Sequence, residues 1–227
     1  MKTINIFISE KLKITKNMIN NQYNGYEYVD LGLPSGTLWA KCNLGAENET
    51  EYGDYFAWAE TETKKDYKLY RWSTYKYAKG VTEDKLTKYC NSKTFGHKGF
   101  IDNITQLELS DDVAHVNMGS KWHMPTKEQF KELFDNTTNK LIENYNDTGV
   151  NGILFTSKQN GNKLFFPAGG FVYEQLINKS FGYYWSSTVN EKYCDEIISM
   201  YFRTPNTLDF INMRRCNGAP IRPVLNK

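Results

Sequence analysis

What most constrains the fold of this chain is the shortness of its apolar runs. They read YEYVDLGL and TLWAKCNLG, parted by the turn PSG, from Tyr26 onward, and GILFTSK, NKLFFPA, YYWSST, EIISMYF, LDFINM and PIRPV after Thr138. Rich in β-branched and aromatic residues and closed by turn formers, these runs predict short strands. QNG between GILFTSK and NKLFFPA predicts a hairpin with Asn160 and Gly161 in its turn. Only two stretches carry a helical signature. Ser110 is the expected cap of SDDVAHV, with Asp111 and Asp112 at the positive end of its dipole. In MPTKEQFKELFDNTT, Thr126 is the expected N-cap, Gln129 its capping-box partner, and Phe130, Leu133 and Phe134 one apolar stripe. Helices early, strands late and no βαβ alternation place the chain in the α+β class.

Two regions stand apart from this pattern. Residues 1–22 alternate weakly (Ile4, Ile6, Ile8, then Leu12, Ile14) and end in a polar stretch. They read as an N-terminal strand or arm with a linker, serving homo-oligomer or virion assembly or adding a strand to the edge of the main sheet. The rest, 23–227, is expected to be one domain. Residues 44–108 form a long irregular connection, of the kind that carries function or wraps the body as packed loops.

Composition excludes several partners. Lys and Arg total 28 against 26 Asp and Glu, a net charge of +2, so no field suited to nucleic acid or an anionic membrane is expected. No run reaches transmembrane length, and the opening residues lack the apolar core and cleavage site of a signal peptide. Cys42, Cys90, Cys194 and Cys216 show no CxxC spacing, which leaves their redox state open. Aromatic residues are abundant, with 16 Tyr, 13 Phe and 5 Trp, suited both to a core of short elements and to recognition surfaces.

Five separated blocks carry a resemblance. YVDLGLPSGTLWAKCNLGA, EYGDYFAWAET, DDVAHVNMGSKWHMPTKEQFKEL, GYYWSST and NGAPIRPV, spanning about Tyr26 to Val224, resemble in order and spacing the Fibrobacter-type major paralogous domain family of gut bacteria and their phages. The resemblance implies a C-type-lectin-like fold, similar to that of formylglycine-generating enzymes: two helices and small twisted antiparallel sheets with long loops. It also implies structural roles for Trp39, Trp58, Trp122 and Trp185.

This fold is used by the variable proteins of diversity-generating retroelements, whose randomised positions cluster near the C-terminus. The resemblance therefore implies a ligand- or receptor-binding protein of a phage or mobile element, contacting a bacterial surface protein or glycan, located in the virion or at a cell surface. A fixed-specificity structural or adhesive surface module is the alternative, and a copper oxidase like the formylglycine-generating enzymes is a third, lesser reading. Between YYWSST and NGAPIRPV, the expected ligand-binding residues are Tyr193, Asp195, Asn206, Asp209, Phe210, Asn212 and Arg214. The aromatic rings would supply flat contact area, Asn and Asp adaptable hydrogen bonds, and Arg214 a charged fork.

No catalytic role is expected. The acidic and amide signatures of calcium-dependent sugar-binding lectins are missing, and Thr204-Pro205-Asn206 is a partial echo. The surroundings of Cys194 and Cys216 do not match the copper-binding cysteine segment of formylglycine-generating enzymes. His97, His115 and His123 lack metal-ligand spacing, and no GxSxG, P-loop or GxGxxG is present. Gly169-Gly170 reads as a loop passing close to the core. We expect no cofactor, no metal and no enzymatic activity.

Overall fold

The capping box at Thr126 forms as its spacing predicts. Thr126 Oγ1 accepts a hydrogen bond from the backbone of Gln129 at 3.1 Å, and the Gln129 side chain accepts one from Thr126 N at 3.0 Å. The helix it opens, Lys127–Asn136, turns Phe130 and Leu133 into the interior. This computed structural model describes residues 21–203 and 207–226, so most of the N-terminal arm lies outside the described residues.

The described chain is α+β, with two α-helices and four small antiparallel sheets. Its helices are α1 (Val113–Met118) and α2 (Lys127–Asn136). The strands before the second helix are β1 (Gln22–Tyr23), β2 (Tyr26–Val29), β3 (Leu38–Ala40), β4 (Phe56–Ala57) and β5 (Trp122–His123). Those after it are β6 (Thr137–Ile142), β7 (Gly152–Ser157), β8 (Lys163–Pro167), β9 (Phe171–Tyr173), β10 (Gln175–Ile177), β11 (Gly182–Val189), β12 (Glu196–Arg203), β13 (Thr207–Arg214), β14 (Gly218–Ala219) and β15 (Val224–Leu225). The sheets run β1-β2-β3-β15-β5, β10-β9-β14-β4, β11-β12-β13 and β6-β7-β8. The last strand thus lies between β3 and β5, and the two ends of the described chain close against each other.

The predicted hairpin at Asn160 and Gly161 is present between β7 and β8, with Gly161 at φ +76°. PIRPV is strand only at its end, because Pro220 and Pro223 cannot donate to a ladder. Its carbonyls are used nonetheless: Pro223 O accepts from Ala40 N at 2.8 Å and Ile221 O from Leu44 N at 3.0 Å. Helix α1 also departs from expectation. Its N-cap is Asp112, not Ser110, because the buried Asp112 carboxylate accepts from Ala114 N, His115 N and Met124 N, while Ser110 stays exposed. Asp111, expected at the dipole, is instead drawn to Lys76 and Lys88.

Two apolar clusters share the β11-β12-β13 sheet as their partition. Ile197, Met213, Trp185 and Val189 belong to one, together with Trp58, Trp122 and Tyr89. Tyr184, Met200 and Phe202 belong to the other, with Trp39, Phe130 and Leu133. All five tryptophans are buried, consistent with structural roles for Trp39, Trp58, Trp122 and Trp185. Indole N–H groups donate to backbone carbonyls, from Trp58 to Ser186 at 3.0 Å and from Trp185 to Phe56 at 2.7 Å. Much of the 44–108 connection wraps the first cluster, burying Tyr70, Trp72, Tyr75 and Tyr89. Gly169 does pass close to the core: a Cβ there would sit 3.1 Å from the hydroxyl of the buried Tyr55.

Candidate functional site

Strand β13 follows from alternation. Successive side chains point to opposite faces, and its register with β12 pairs Phe210 with Met200, Asn212 with Ile198 and Arg214 with Glu196. Phe210, Asn212 and Arg214 therefore share one face, the one directed toward α2. Phe210 is half-buried there, its ring 5.4 Å from that of Phe134, with Lys127 Nζ 5.7 Å from its centroid. Beyond it Asn212 and Arg214 are exposed. Asp209 is exposed too, but on the opposite face, across from Tyr201, and its Oδ1 accepts from Phe210 N at 2.7 Å.

Tyr193 sits in the turn before β12, 41% exposed. Asn190 Oδ1 accepts from Lys192 N at 2.9 Å and Tyr193 N at 3.2 Å, and Tyr193 O accepts from Glu196 N at 2.9 Å. These bonds place Tyr193 near the Arg214 end of the sheet, because Glu196 and Arg214 are paired. Lys192 Nζ lies 4.9 Å from the Tyr193 ring. Asn206 lies outside the described residues. Three of the seven expected residues, Phe210, Asn212 and Arg214, thus share one face, while Asp209 faces away from it and the Tyr193 ring packs against Phe95, which belongs to the first cluster.

Asp195 departs furthest from a contact role. It is 7% exposed, its Oδ1 has no hydrogen-bond partner, and burial pushes its carboxyl up to about 6 despite the nearby Arg215 charge. A carboxyl whose folded pKa exceeds its unfolded value disfavours folding once both states are ionised. Stability should therefore fall as pH rises from about 4 to about 6, with the full penalty above that window. Asp195→Asn is expected to raise the thermal midpoint at neutral pH by roughly 5 °C, with the gain vanishing below about pH 4. Melting curves across that range check this; an equal midpoint at neutral pH would contradict it.

Arg215, which sequence reasoning did not single out, anchors this region from behind. Fully buried, its guanidinium donates to Lys88 O at 3.0 Å and Tyr89 O at 2.6 Å and lies 5.0 Å from the Trp58 ring. The Arg-Arg pair at 214 and 215 carried the signal in part, since alternation sends one side chain outward and the next inward.

Two clefts bear on binding. One of about 400 Å³ adjoins the start of β13 and is lined by Asn139, Lys140, Leu141, Ile153, Thr207 and Leu208. Both β6 and β13 are edge strands of their sheets, so this cleft runs between two strand edges. The other, about 530 Å³, lies elsewhere, between β2, β3 and the 42–49 loop, with Tyr26, Lys41, Cys42 and Glu49 among its walls. Among the described residues no group of three or more His, Cys, Asp or Glu could hold a metal ion, and no helix is long and apolar enough to cross a membrane. Comparisons with protein families, with curated proteins and with solved structures found no match to this chain.

Proposed function

We propose that this protein is a ligand-binding module with a C-type-lectin-like fold, acting without catalysis, that recognises a bacterial surface protein or glycan through its C-terminal sheet. The observation carrying this reading is the position of β13. Apolar side chains hold its sheet from both sides, yet Asn212 and Arg214 remain exposed beside the half-buried Phe210, and the Tyr193 turn closes the same end of the sheet as Arg214. Exposed substitutions on such a strand cost little stability, commonly within about 0.5 kcal/mol. A face of this kind tolerates sequence change without loss of the fold. That property suits the variable protein of a diversity-generating retroelement, borne by a phage virion or displayed at a cell surface.

The side-chain chemistry suits recognition as well. Phe210 and Tyr193 offer flat apolar area, Asn212 both a donor and an acceptor, and Arg214 a planar fork for carboxylates. The 400 Å³ cleft extends the surface at the other end of β13.

Binding of the labelled protein to a panel of gut bacterial cells tests the reading, with the cells used intact, protease-treated or periodate-treated to separate protein from glycan ligands. The double variant Phe210→Ala, Arg214→Ala is expected to bind about 30-fold more weakly, the effect of losing one hot-spot contact of about 2 kcal/mol. Equal binding by the parent and the folded double variant would remove the C-terminal face from consideration. A neighbouring reverse-transcriptase gene, with a near-copy of the segment encoding residues 190–216, is the genomic expectation for the diversified form.

A further inference from the structure

Cys90 and Cys194 lie 104 positions apart in the chain, yet their sulfurs approach to 3.4 Å in the interior, both side chains fully buried. Each backbone is positioned by other bonds. On one side the Asp102 carboxylate accepts from Tyr89 N at 2.7 Å and Cys90 N at 2.8 Å, while Arg215 binds Tyr89 O. On the other, the Asn190 turn and the Glu196 N to Tyr193 O bond shape the segment that carries Cys194. Two further contacts bridge the same segments: Asn91 Nδ2 donates to Glu191 O at 2.8 Å, and the Phe95 and Tyr193 rings meet edge to face at 6.5 Å. The remaining thiols are placed differently. Cys42 lines the larger cleft, and Cys216 is buried beside Asn217.

We infer that Cys90 and Cys194 form a disulfide site, closed by exchange with a low-molecular-weight disulfide such as oxidised glutathione, which ties the 89–95 segment to the 190–196 turn. The separation is about 1.4 Å beyond a disulfide bond, a gap that small side-chain rotations close. In the exchange one cysteine thiolate attacks the small disulfide, breaking its S–S bond and releasing one small thiol. The second cysteine sulfur then attacks the mixed disulfide and releases the other. Two cysteine thiols are oxidised, the small disulfide is reduced, and the two released thiols carry away the two protons.

Burial shapes the kinetics of this step. The Cys90 thiol is pushed up to about 11 by desolvation, and neither sulfur is accessible in the closed structure. Exchange therefore proceeds while the chain folds, or when the 190–196 turn opens, and it accelerates as pH rises. The bond closes a loop of 104 residues, which restricts the unfolded chain and should raise the thermal midpoint by about 10 °C. It also fixes the position of Tyr193, whatever the C-terminal face binds.

The test is to refold the full chain in a glutathione redox buffer at mildly alkaline pH, alkylate free thiols under denaturing conditions, and map the peptides. The expected result is one linked peptide joining Cys90 to Cys194, a mass about 2 Da below the fully reduced chain, and alkylated Cys42 and Cys216. The oxidised protein should melt about 10 °C above the reduced protein. That difference should persist in Cys216→Ser and disappear in Cys194→Ser. Four alkylated thiols after oxidative refolding, or a link to Cys42 or Cys216, would overturn the inference. The parent's peptide map decides the matter even if Cys194→Ser does not fold.

Discussion

Arg222→Met is expected to lower the thermal midpoint by about 10 °C, corresponding to roughly 3–4 kcal/mol. The Arg222 side chain is fully buried. Its guanidinium donates to Asn43 Oδ1 at 2.8 Å, Lys41 O at 2.6 Å and Ala40 O at 3.3 Å, and packs 4.6 Å from the Phe166 ring centroid. These acceptors are neutral oxygens, so the residue acts as a multivalent donor fastening the run into β15 against β3 and the 41–43 segment. Met fills similar volume but donates nothing, and each buried acceptor left unpaired costs about 1–3 kcal/mol. Lys carries the charge but lacks the planar fork that reaches all three oxygens. Arg222→Lys should therefore recover less than half of the loss. Calorimetric melting of the parent and both variants checks this, and a midpoint for Arg222→Met within about 2 °C of the parent would refute it.

Asp111→Ala carries the second large effect. The Asp111 side chain is 4% exposed and accepts from Tyr89 Oη at 2.7 Å, Tyr77 Oη at 2.5 Å, Lys88 Nζ at 2.7 Å and Lys76 Nζ at 3.1 Å. Burial alone would raise its carboxyl pKa. The bonds from Lys88, the two tyrosines and Lys76 outweigh that and hold it at about 2. Removing the carboxylate leaves the Tyr77 and Tyr89 hydroxyls without their acceptor and Lys88 with Glu108 as its remaining carboxylate partner, at a cost of about 3 kcal/mol.

The pH dependence has a definite sign. A depressed folded pKa contributes stability that is present above the unfolded value, near 4, and is lost as pH falls toward 2. The parent should lose midpoint steeply over that interval, and Asp111→Ala should lose less, so their melting temperatures converge in acid. A gap that stays constant with pH would show that the cluster acts through packing alone. Asp195 runs the other way, since its raised pKa makes acid favourable to folding. The two carboxylates partly cancel near pH 4, and single variants are needed to separate them.

The readings that held were those whose causes lie within a few residues. The Thr126 capping box spans three positions, the Asn160-Gly161 turn joins adjacent strands, and the β12 and β13 segments announce themselves by β-branched and aromatic content. The same local reasoning misplaced the start of α1, because Ser110 and Asp112 are both good caps. The choice between them is made by Met124 N, which approaches from β5 and the residue after it. Within the expected ligand-binding set, alternation alone separates Asp209 from Phe210, Asn212 and Arg214. The burial of Asp195 accompanies tertiary contacts that alternation does not encode: Arg215 N donates to Asp195 O at 3.1 Å, and the adjoining Cys194 meets Cys90.

By itself the sequence determined the α+β class, the second helix and the C-terminal strands. Those properties follow from propensity, periodicity and turn preference, which act over short stretches of chain. Only tertiary structure decided that Cys194 meets Cys90 rather than Cys216, that Arg222 reaches across 179 positions to Asn43, and that a single sheet serves two cores. Such pairings are set by which distant segments exclude water together, and no local pattern of residues encodes that.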